Sequence, residues 1–511
     1  DERPILPNFS FKISTGDSIV HKAGGEKITL SAIDQTTNDE IRRGITNLRD
    51  AKTAYFNGEL NDWTQYFDLN LDEDLTPEQA IEAKQRELIL LHLNTQIEEL
   101  EQQTSQATLD GSVNDTNASA EIEAQISQLK TARDQIENSE EELFLWEIAY
   151  PEVMGTGGFD VVIGNPPYVS SGEIIDQGIN NKVLEEYEED VIDSLREEYR
   201  EDLQDYAIEN HRITDLSGKS DLYVYFFLKG LELLDSGGTL SFVTSNSWLD
   251  VGFGERLKEY IVQDYDLKYI VSSEVQRSFE EADINTEITI INNNSETVLS
   301  GAARFTTYNT AYRNVTDPDT IWKTIYGTQG FVPNTYNEYP ISIHETDIHR
   351  SIAIPHTTLW QLGGGKINDL RPENGSTING GSDYNGEIPD SHQISNDLRR
   401  FPTYNKYTAT ADGRWDENPK WSVFVRAPTS FFEKINPHLT TTLGDVADVH
   451  LGLTSGLNSF FYLEPTDIEE WGIESEYLRP LMKSPTEITR YRVTKDDLTK
   501  HVLDVQEDLE D

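Results

Sequence analysis

Hydrophobic positions recur with a helical period in the first third of the chain. Two apolar stripes follow this spacing: Leu90, Leu93, Ile97 and Leu100, then Ile122, Ile126, Leu129 and Ile136. Such spacing is typical of one buried face of an α-helix. Thr76-Pro77-Glu78-Gln79 matches a helix start, because Thr caps, Pro suits the first turn and Gln stands three residues after the cap. With a polar segment at 109–115, the pattern predicts an antiparallel helical hairpin over about 76–142.

The hairpin has polar residues on its other faces, so we interpret it as an inserted, solvated spacer rather than a DNA-contacting element. Another helical stretch is predicted around 37–58, after short strands and turns at 10–34. The pattern then changes, from residue 159 to about 294, to short apolar runs that alternate with helix. The runs are Phe159–Gly164, Thr239–Thr244, Leu267–Ser272 and Glu287–Asn292, with an apolar helix at Tyr223–Leu234.

This alternation predicts a doubly wound α/β sheet in which Phe159–Gly164 is a buried parallel strand. Ligands of such sheets bind beyond the carboxyl ends of the strands. The stretch 371–419 is rich in Gly, Asn, Asp, Ser and Pro and is predicted to be a long loop. Gly363-Gly364-Gly365-Lys366 lacks the spacing and the Ser/Thr of a phosphate-binding loop, so we reject it as a nucleotide site.

Composition limits the classes of function. The 511 residues include 41 Lys+Arg and 92 Asp+Glu, a formal charge of −51, and they contain no Cys. The lack of Cys excludes a disulfide scaffold, a cysteine nucleophile and a thiolate metal site. Dispersed acids with few lysines favour adaptation to concentrated salt, where charge is screened, so the net charge does not exclude a nucleic-acid partner. No apolar run approaches a membrane span, and we expect a soluble, cytoplasmic fragment.

Asn165-Pro166-Pro167-Tyr168 directly follows the first predicted strand and carries the strongest chemical signal. A carboxamide accepts a hydrogen bond from an exocyclic amine and donates one to a ring nitrogen. The two prolines fix the backbone and leave carbonyl groups without competing N–H donors. Tyr168 offers a flat face on which an unpaired base can stack. The motif therefore favours a site that holds an exocyclic amino group for attack, against the alternative of an ordinary Pro-rich turn.

The segment Phe159–Tyr168 reads FDVVIGNPPY and resembles the catalytic signature of S-adenosylmethionine-dependent N6-adenine DNA methyltransferases. Segments on either side are similar to those of type IIG restriction–modification methylases. These are 145–153, 218–223 and 234–243, and, where that family's target-recognition domain begins, 420–428 and 451–458. The resemblance implies a Rossmann-like methyltransferase fold with the helical insertion and a partial target-recognition domain. It implies five segments: a part of the methyltransferase domain at 1–75, the hairpin at 76–142, the catalytic core at 143–295, a connecting region at 296–435 and the start of the target-recognition domain at 436–511.

The resemblance also implies roles for individual residues. Asn165 and the carbonyl of Pro166, with Pro167 shaping the loop, would hold N6 of an adenine flipped out of double-stranded DNA, and Tyr168 would stack on it. Phe279 would be the opposite stacking face, with a core position as the alternative. Methyl transfer would be direct, with S-adenosylmethionine as the cofactor and no metal.

Two acids resemble cofactor-binding positions of the family, and each has a structural alternative. Asp17 would lie near the cofactor adenine, or it forms a turn. Asp221 would face the cofactor, or it caps the next helix. A Gly-rich cofactor loop is expected ahead of Asp17, and residues 1–16 do not supply it, so the chain is expected to start inside the sheet.

Other functions remain open at this point. The same loop chemistry serves protein and RNA amino-methyltransferases, and a BREX-type phage-defence methylase that acts only in a complex has the same architecture. A third alternative is a non-catalytic DNA-binding subunit. Partners other than DNA would be restriction or defence subunits.

Overall fold

The structure is a computed structural model that describes residues 10–23, 26–27, 38–67, 75–109, 116–138, 144–175, 189–211, 213, 216–275, 285–293, 301–315, 317–326, 330–372, 407–412, 415, 417–436, 461–481, 498 and 500–503. Its contacts divide the chain into two units, 1–438 and 439–511. No helix within the described part of the chain combines the length and the apolar composition that a membrane span needs.

An eight-stranded mixed sheet organises the first unit, in the order β3-β4-β6-β5-β7-β10-β9-β8. The predicted α/β class is confirmed. The pairs β3–β4 and β5–β7 are parallel, and the other neighbours are antiparallel. Its strands are β3 Phe159–Gly164, β4 Leu234–Ser245, β5 Asp266–Ser273, β6 Thr286–Asn292, β7 Ala302–Tyr308, β8 Val332–Tyr336, β9 Tyr339–Glu345 and β10 His349–Pro355. Short two-stranded ladders pair β1 Lys22–Ala23 with β2 Glu26–Lys27, and β11 Lys366–Pro372 with β12 Tyr407–Asp412.

The strand β3 differs from the prediction in its burial. It pairs in parallel with β4, as expected, but it lies at the edge of the sheet. Val161 is 60% exposed and Ile163 is 79% exposed. The expectation of a buried strand was therefore wrong for the face that carries Val161 and Ile163. An apolar run shows that a strand can be buried, but it does not show whether another element covers it.

Apolar helices cover the sheet and form its core. The helix at Leu222–Glu232, labelled α7, packs beside β4, where Phe227 contacts Phe242 with ring centroids 5.4 Å apart. Gly230 lies so close to Phe242 that a Cβ there would be 2.8 Å from its ring. The helices of this unit are α1 Asp39–Phe56, α2 Pro77–Leu109, α3 Thr116–Asn138, α4 Trp146–Ala149, α5 Pro151–Met154, α6 Glu189–His211, α7 Leu222–Glu232, α8 Gly254–Asp264, α9 Pro318–Tyr326, α10 His356–Leu362 and α11 Ser422–Arg426.

The region 296–435, predicted only as a connection, contributes four strands to the main sheet. The strands β7 and β10 are buried along their whole length and pair over seven residues. The loop predicted over 371–419 is interrupted, because the strand 366–372 overlaps its start and the strand 407–412 lies within it. Residues 373–406 lie outside the described part of the chain. The four strands of 296–435 were missed because many of their buried positions are polar. Arg304, Thr306 and Ser351 are examples, and such residues do not indicate a hydrophobic core in a sequence.

Both helices of the predicted hairpin are present as α2 and α3. The Thr76 and Gln79 side chains cap each other's backbone N–H groups at the start of α2. Lys130 pairs with Glu101 at 2.6 Å, and the Arg86 guanidinium donates to the Ile136 carbonyl, a register that fits antiparallel helices. The apolar stripe also packs on α1, so the hairpin belongs to a second hydrophobic cluster with that helix.

The second unit, described by itself, contains a three-stranded antiparallel sheet in the order β13-β15-β14. The strands are β13 Tyr462–Leu463, β14 Leu478–Leu481 and β15 Lys500–Leu503, and a helix α12 spans Pro465–Trp471. A capping box between Glu464 and Asp467 starts this helix, and Gly472 ends it at φ 64°. The segment 451–458 that resembles a recognition domain lies outside the described residues.

Candidate functional site

The Asn165–Tyr168 loop begins where β3 ends, at the carboxyl edge of the only parallel neighbours at this side of the described sheet. Pro166 is buried and anchors the loop, whereas Asn165 is exposed. The Tyr168 hydroxyl lies 2.6 Å from Asn165 Oδ1 and 3.2 Å from the Val243 carbonyl of β4. Burial raises the pKa of Tyr168, so its hydroxyl stays protonated and can donate. The loop thus presents a carboxamide whose oxygen is oriented by a neighbouring phenol.

The loop is fixed to the start of α7 through backbone contacts. The Leu222 N–H donates to the Val169 carbonyl at 3.0 Å. Asp221 precedes α7 but its side chain makes no capping hydrogen bond, so the capping alternative is wrong. Its carboxylate instead accepts from the Ser171 N–H, and burial raises its pKa. The structure therefore brings Asp221 and the Asn165–Tyr168 loop together.

Asp17 has several partners of its own. Its Oδ1 accepts from the Ile19 N–H at 2.8 Å and from the Val20 N–H at 3.0 Å, and its Oδ2 accepts from the Tyr199 hydroxyl. These contacts form the turn that the alternative interpretation expected. A role in cofactor binding stays a prediction.

Two further predictions have limited structural coverage. Phe279, the predicted opposite stacking face, lies outside the described residues, between the described segments 216–275 and 285–293. Within the described part of the chain, no group of three or more His, Asp or Glu side chains is arranged to hold a metal ion.

A buried acid at the same edge of the sheet was missed by the sequence analysis. Glu287 opposes Thr244 across the β4–β6 ladder and is fully buried. The Trp248 indole faces its carboxyl group, and Arg426 and Asp250 lie close enough to influence its charge. Burial dominates and raises the pKa of Glu287 well above its ordinary range. A carboxyl group inside a strand of alternating Thr and Ile was the available signal.

We expect Glu287→Gln to stabilise the protein at neutral and alkaline pH by about 1–3 kcal/mol, since a buried ionisable group is replaced by a neutral one of the same shape. Because the folded-state pKa is raised, the contribution of Glu287 is fully present below its unfolded pKa and is lost as pH rises through the folded value. Thermal unfolding from pH 4 to pH 9 should show that the stability of the variant relative to the wild type increases as pH rises. Glu99 is exposed, and Glu99→Gln is the control, because it makes the net charge one unit less negative just as Glu287→Gln does. An equal gain in stability in both variants would contradict the prediction.

A second missed feature is a junction that begins just after β4. We define the Asp250 junction as residues 249–258 together with 418–426. The Asp250 carbonyl accepts from the Asn418 side chain at 3.1 Å and from the Lys420 ammonium. Its carboxylate accepts from the Ser422 N–H at 3.3 Å and lies 3.5 Å from the Arg426 guanidinium.

Lys258 closes the Asp250 junction from inside. Its buried ammonium donates to the Leu249 carbonyl at 2.9 Å, to Asn418 Oδ1 at 2.7 Å and to the Pro419 carbonyl at 2.6 Å. The Trp421 N–H also donates to the Leu249 carbonyl, at 3.1 Å. The junction therefore fixes the segment 418–426 against the carboxyl edge of β4.

Comparisons with known proteins show sequence similarity to restriction-modification methylases. Residues 74–279 match the sequence model of the Eco57I restriction-modification methylase family. The type II methyltransferase M.BstVI of Geobacillus stearothermophilus is 29% identical over 122 residues, 24% of this chain and 17% of that protein. The type II methyltransferase M.PaeR7I of Pseudomonas aeruginosa is 27% identical over 115 residues, 22% of this chain and 15% of that protein. Each match therefore spans under a fifth of the relative's length.

A solved structure of a putative class I S-adenosylmethionine-dependent methyltransferase from Listeria monocytogenes aligns with 56% of this chain and 96% of its own. Its sequence identity is 11% and the TM-score is 0.21, so the fold is defined by the strand order above and not by this superposition. The family match includes the hairpin, the Asn165–Tyr168 loop and Asp221. Residues 74–279, which are 206 of the 511 residues, are thus similar in sequence to the Eco57I restriction-modification methylase family.

Proposed function

We propose that this protein transfers a methyl group from S-adenosylmethionine to N6 of adenine in duplex DNA, as a site-specific methylase of a type IIG or related restriction–modification system. The observation that carries the proposal is the Asn165–Tyr168 loop, which places a pre-oriented carboxamide at the carboxyl edge of two parallel strands. This edge is where open α/β sheets bind their ligands. The family match supports the reaction class, and the chemistry of the loop supports an exocyclic amine as the acceptor. The adenine target rests on the resemblance of Phe159–Tyr168 to N6-adenine DNA methyltransferases.

The residues of the loop divide the work of holding the amine. Asn165 Oδ1 has two acceptor positions, and the Tyr168 hydroxyl uses one of them, so the other is available to an exocyclic N–H. The Pro166 carbonyl would accept the second N–H, which raises the electron density on the nitrogen that attacks. Tyr168 would stack on the extruded base, since N6 cannot be reached inside a duplex. Rate acceleration would come mainly from positioning and from these oriented dipoles.

The described residues fit the cofactor through one acid beside the loop. Asp221 is half-buried beside the loop and accepts from the Ser171 N–H, and its carboxylate would face the cationic methionine part. When bound, S-adenosylmethionine supplies the electrophilic methyl group. Asp17 would contribute only if it exchanged the hydrogen bonds to its own turn and to Tyr199.

The test is methyl transfer to mixed-sequence duplex DNA by the protein in its full natural length, in high salt, with methyl-labelled S-adenosylmethionine. Nucleosides from the digested DNA are separated and weighed by mass spectrometry. We expect label in N6-methyladenine. Label in N4-methylcytosine would contradict the adenine target. A folded protein that binds the cofactor but transfers nothing would contradict a methylase that acts alone and would favour one that needs a defence complex.

A further inference from the structure

Two exposed cations stand at the reactive edge of this acidic protein. Lys420 is exposed, and the side chain of Arg426 is 55% exposed. Both side chains contact Asp250. The Lys420 ammonium donates to the Asp250 backbone carbonyl, and the Arg426 guanidinium forms an ion pair with the Asp250 carboxylate. With a net charge of −51, DNA cannot be attracted by the protein as a whole, so any phosphate contact must be made by cations held at defined places.

The position of this pair relative to the loop follows from the chain. Tyr168 contacts the Val243 carbonyl, and β4 ends two residues later at Ser245. A single 3₁₀ turn, Asn246–Leu249, then leads to Asp250. At the rises of a strand and a 3₁₀ helix, Asp250 lies within roughly 17 Å of Val243. That is about five phosphate spacings along one DNA strand, at 3.4 Å each along the helix axis.

A second observation places Arg426 at the same edge. The guanidinium is near enough to Glu287, opposite Thr244 on β4, to favour the ionised form of that buried acid. On the proposed DNA substrate, a duplex whose target base reaches the Asn165–Tyr168 loop would pass the carboxyl end of β4. The Asp250 junction holds Lys420 and Arg426 there with fixed backbones.

We propose that Lys420 and Arg426 contact DNA phosphates beside the extruded base and that Asp250 is the residue that positions them. The inference rests on the proposed DNA substrate and adds the part of the protein surface that meets the backbone. Phosphate contacts carry no sequence information, so these residues set affinity and register and not the choice of target.

The test is the salt dependence of duplex binding, measured by fluorescence anisotropy on the full-length protein over the salt range in which it stays folded. Lys420→Gln and Arg426→Gln are compared with the wild type. Each lost phosphate contact should reduce the slope of log affinity against log salt by about 0.9, and the double variant by about 1.8. For each fourfold dilution of salt, the ratio of single-variant Kd to wild-type Kd should then grow about 3.5-fold.

The matched control is Lys130→Gln with Arg133→Gln, two cations on α3 that are also paired with acids, Glu101 and Asp134. It lowers the net charge equally but should leave the slope unchanged. Lys420→Gln leaves the Arg426–Asp250 ion pair in place, so it reports on binding even where Arg426→Gln perturbs the junction.

Three results would overturn the inference. The first is an equal salt slope in the site variants and the wild type. The second is an equal reduction of the slope in the control variant. The third is a reduction of the slope that depends on the sequence of the duplex. The first and third leave the proposed methylase function standing, provided that the wild type binds and methylates DNA. A wild-type protein that binds no duplex would overturn both.

Discussion

Asn165→Ala is expected to lower the rate of methyl transfer by at least about 10²–10³-fold, the usual loss when one pre-oriented polar group is removed from a reacting centre. The carboxamide is the group that would hold the amine, and the Pro166 carbonyl by itself cannot fix its orientation. The side chain is exposed and its described contact is with the Tyr168 hydroxyl, so stability should change by less than about 0.5 kcal/mol. Single-turnover transfer with labelled cofactor measures the effect.

Ser170→Ala is the matched control for Asn165→Ala, because Ser170 is an exposed residue two positions after the Asn165–Tyr168 loop and its hydroxyl contacts Glu173 at 3.3 Å. It should retain nearly the full rate. Cofactor affinity should be the same in both variants and in the wild type, since the amine and not the cofactor is held by the carboxamide. An Asn165→Ala protein that keeps more than a tenth of the rate would show that the loop does not hold the reacting nitrogen.

The local parts of this site were readable from the sequence. A short apolar run followed by Asn-Pro-Pro-Tyr predicts a strand that ends in a fixed turn, and both features depend only on neighbouring residues. The hairpin was readable for the same reason, because its stripe and its cap at Thr76 and Gln79 are local patterns.

The distant contacts were not readable. Lys258 looks like a solvated charge on an amphipathic helix, yet it is buried by residues about 160 positions away. The role of Asp250 could likewise not be predicted, because its partners in 418–426 are far away in the sequence. The exposed face of β3 shows the converse, since Val161 and Ile163 read as core although the described sheet leaves them uncovered.

Lys258→Met should destabilise the first unit by about 3–5 kcal/mol. The substitution keeps the aliphatic stem but removes three hydrogen bonds. Asn418 Oδ1 and the Pro419 carbonyl lose the Lys258 donor, whereas the Leu249 carbonyl keeps the Trp421 N–H. Each unsatisfied buried polar group costs about 1–3 kcal/mol. Tryptophan fluorescence follows the event directly, because the Lys258 ammonium lies 5.7 Å from the Trp421 ring, which contacts Trp248 at 5.9 Å.

Lys130→Met is the appropriate comparison, and the partners of its ion pair are 44% and 49% exposed. Such a surface pair contributes less than about 1 kcal/mol, so denaturant unfolding should separate the two variants by several kcal/mol. Burial lowers the pKa of Lys258 to about 7, so the two variants are compared below that pH, where each substitution removes one positive charge. The comparison also isolates the junction from electrostatics. In a protein of net charge −51, losing any cation adds repulsion, and high salt should suppress that part in both variants. A difference that persists in concentrated salt therefore belongs to the three buried hydrogen bonds, and a difference that disappears would show that Lys258 stabilises the protein only through its charge.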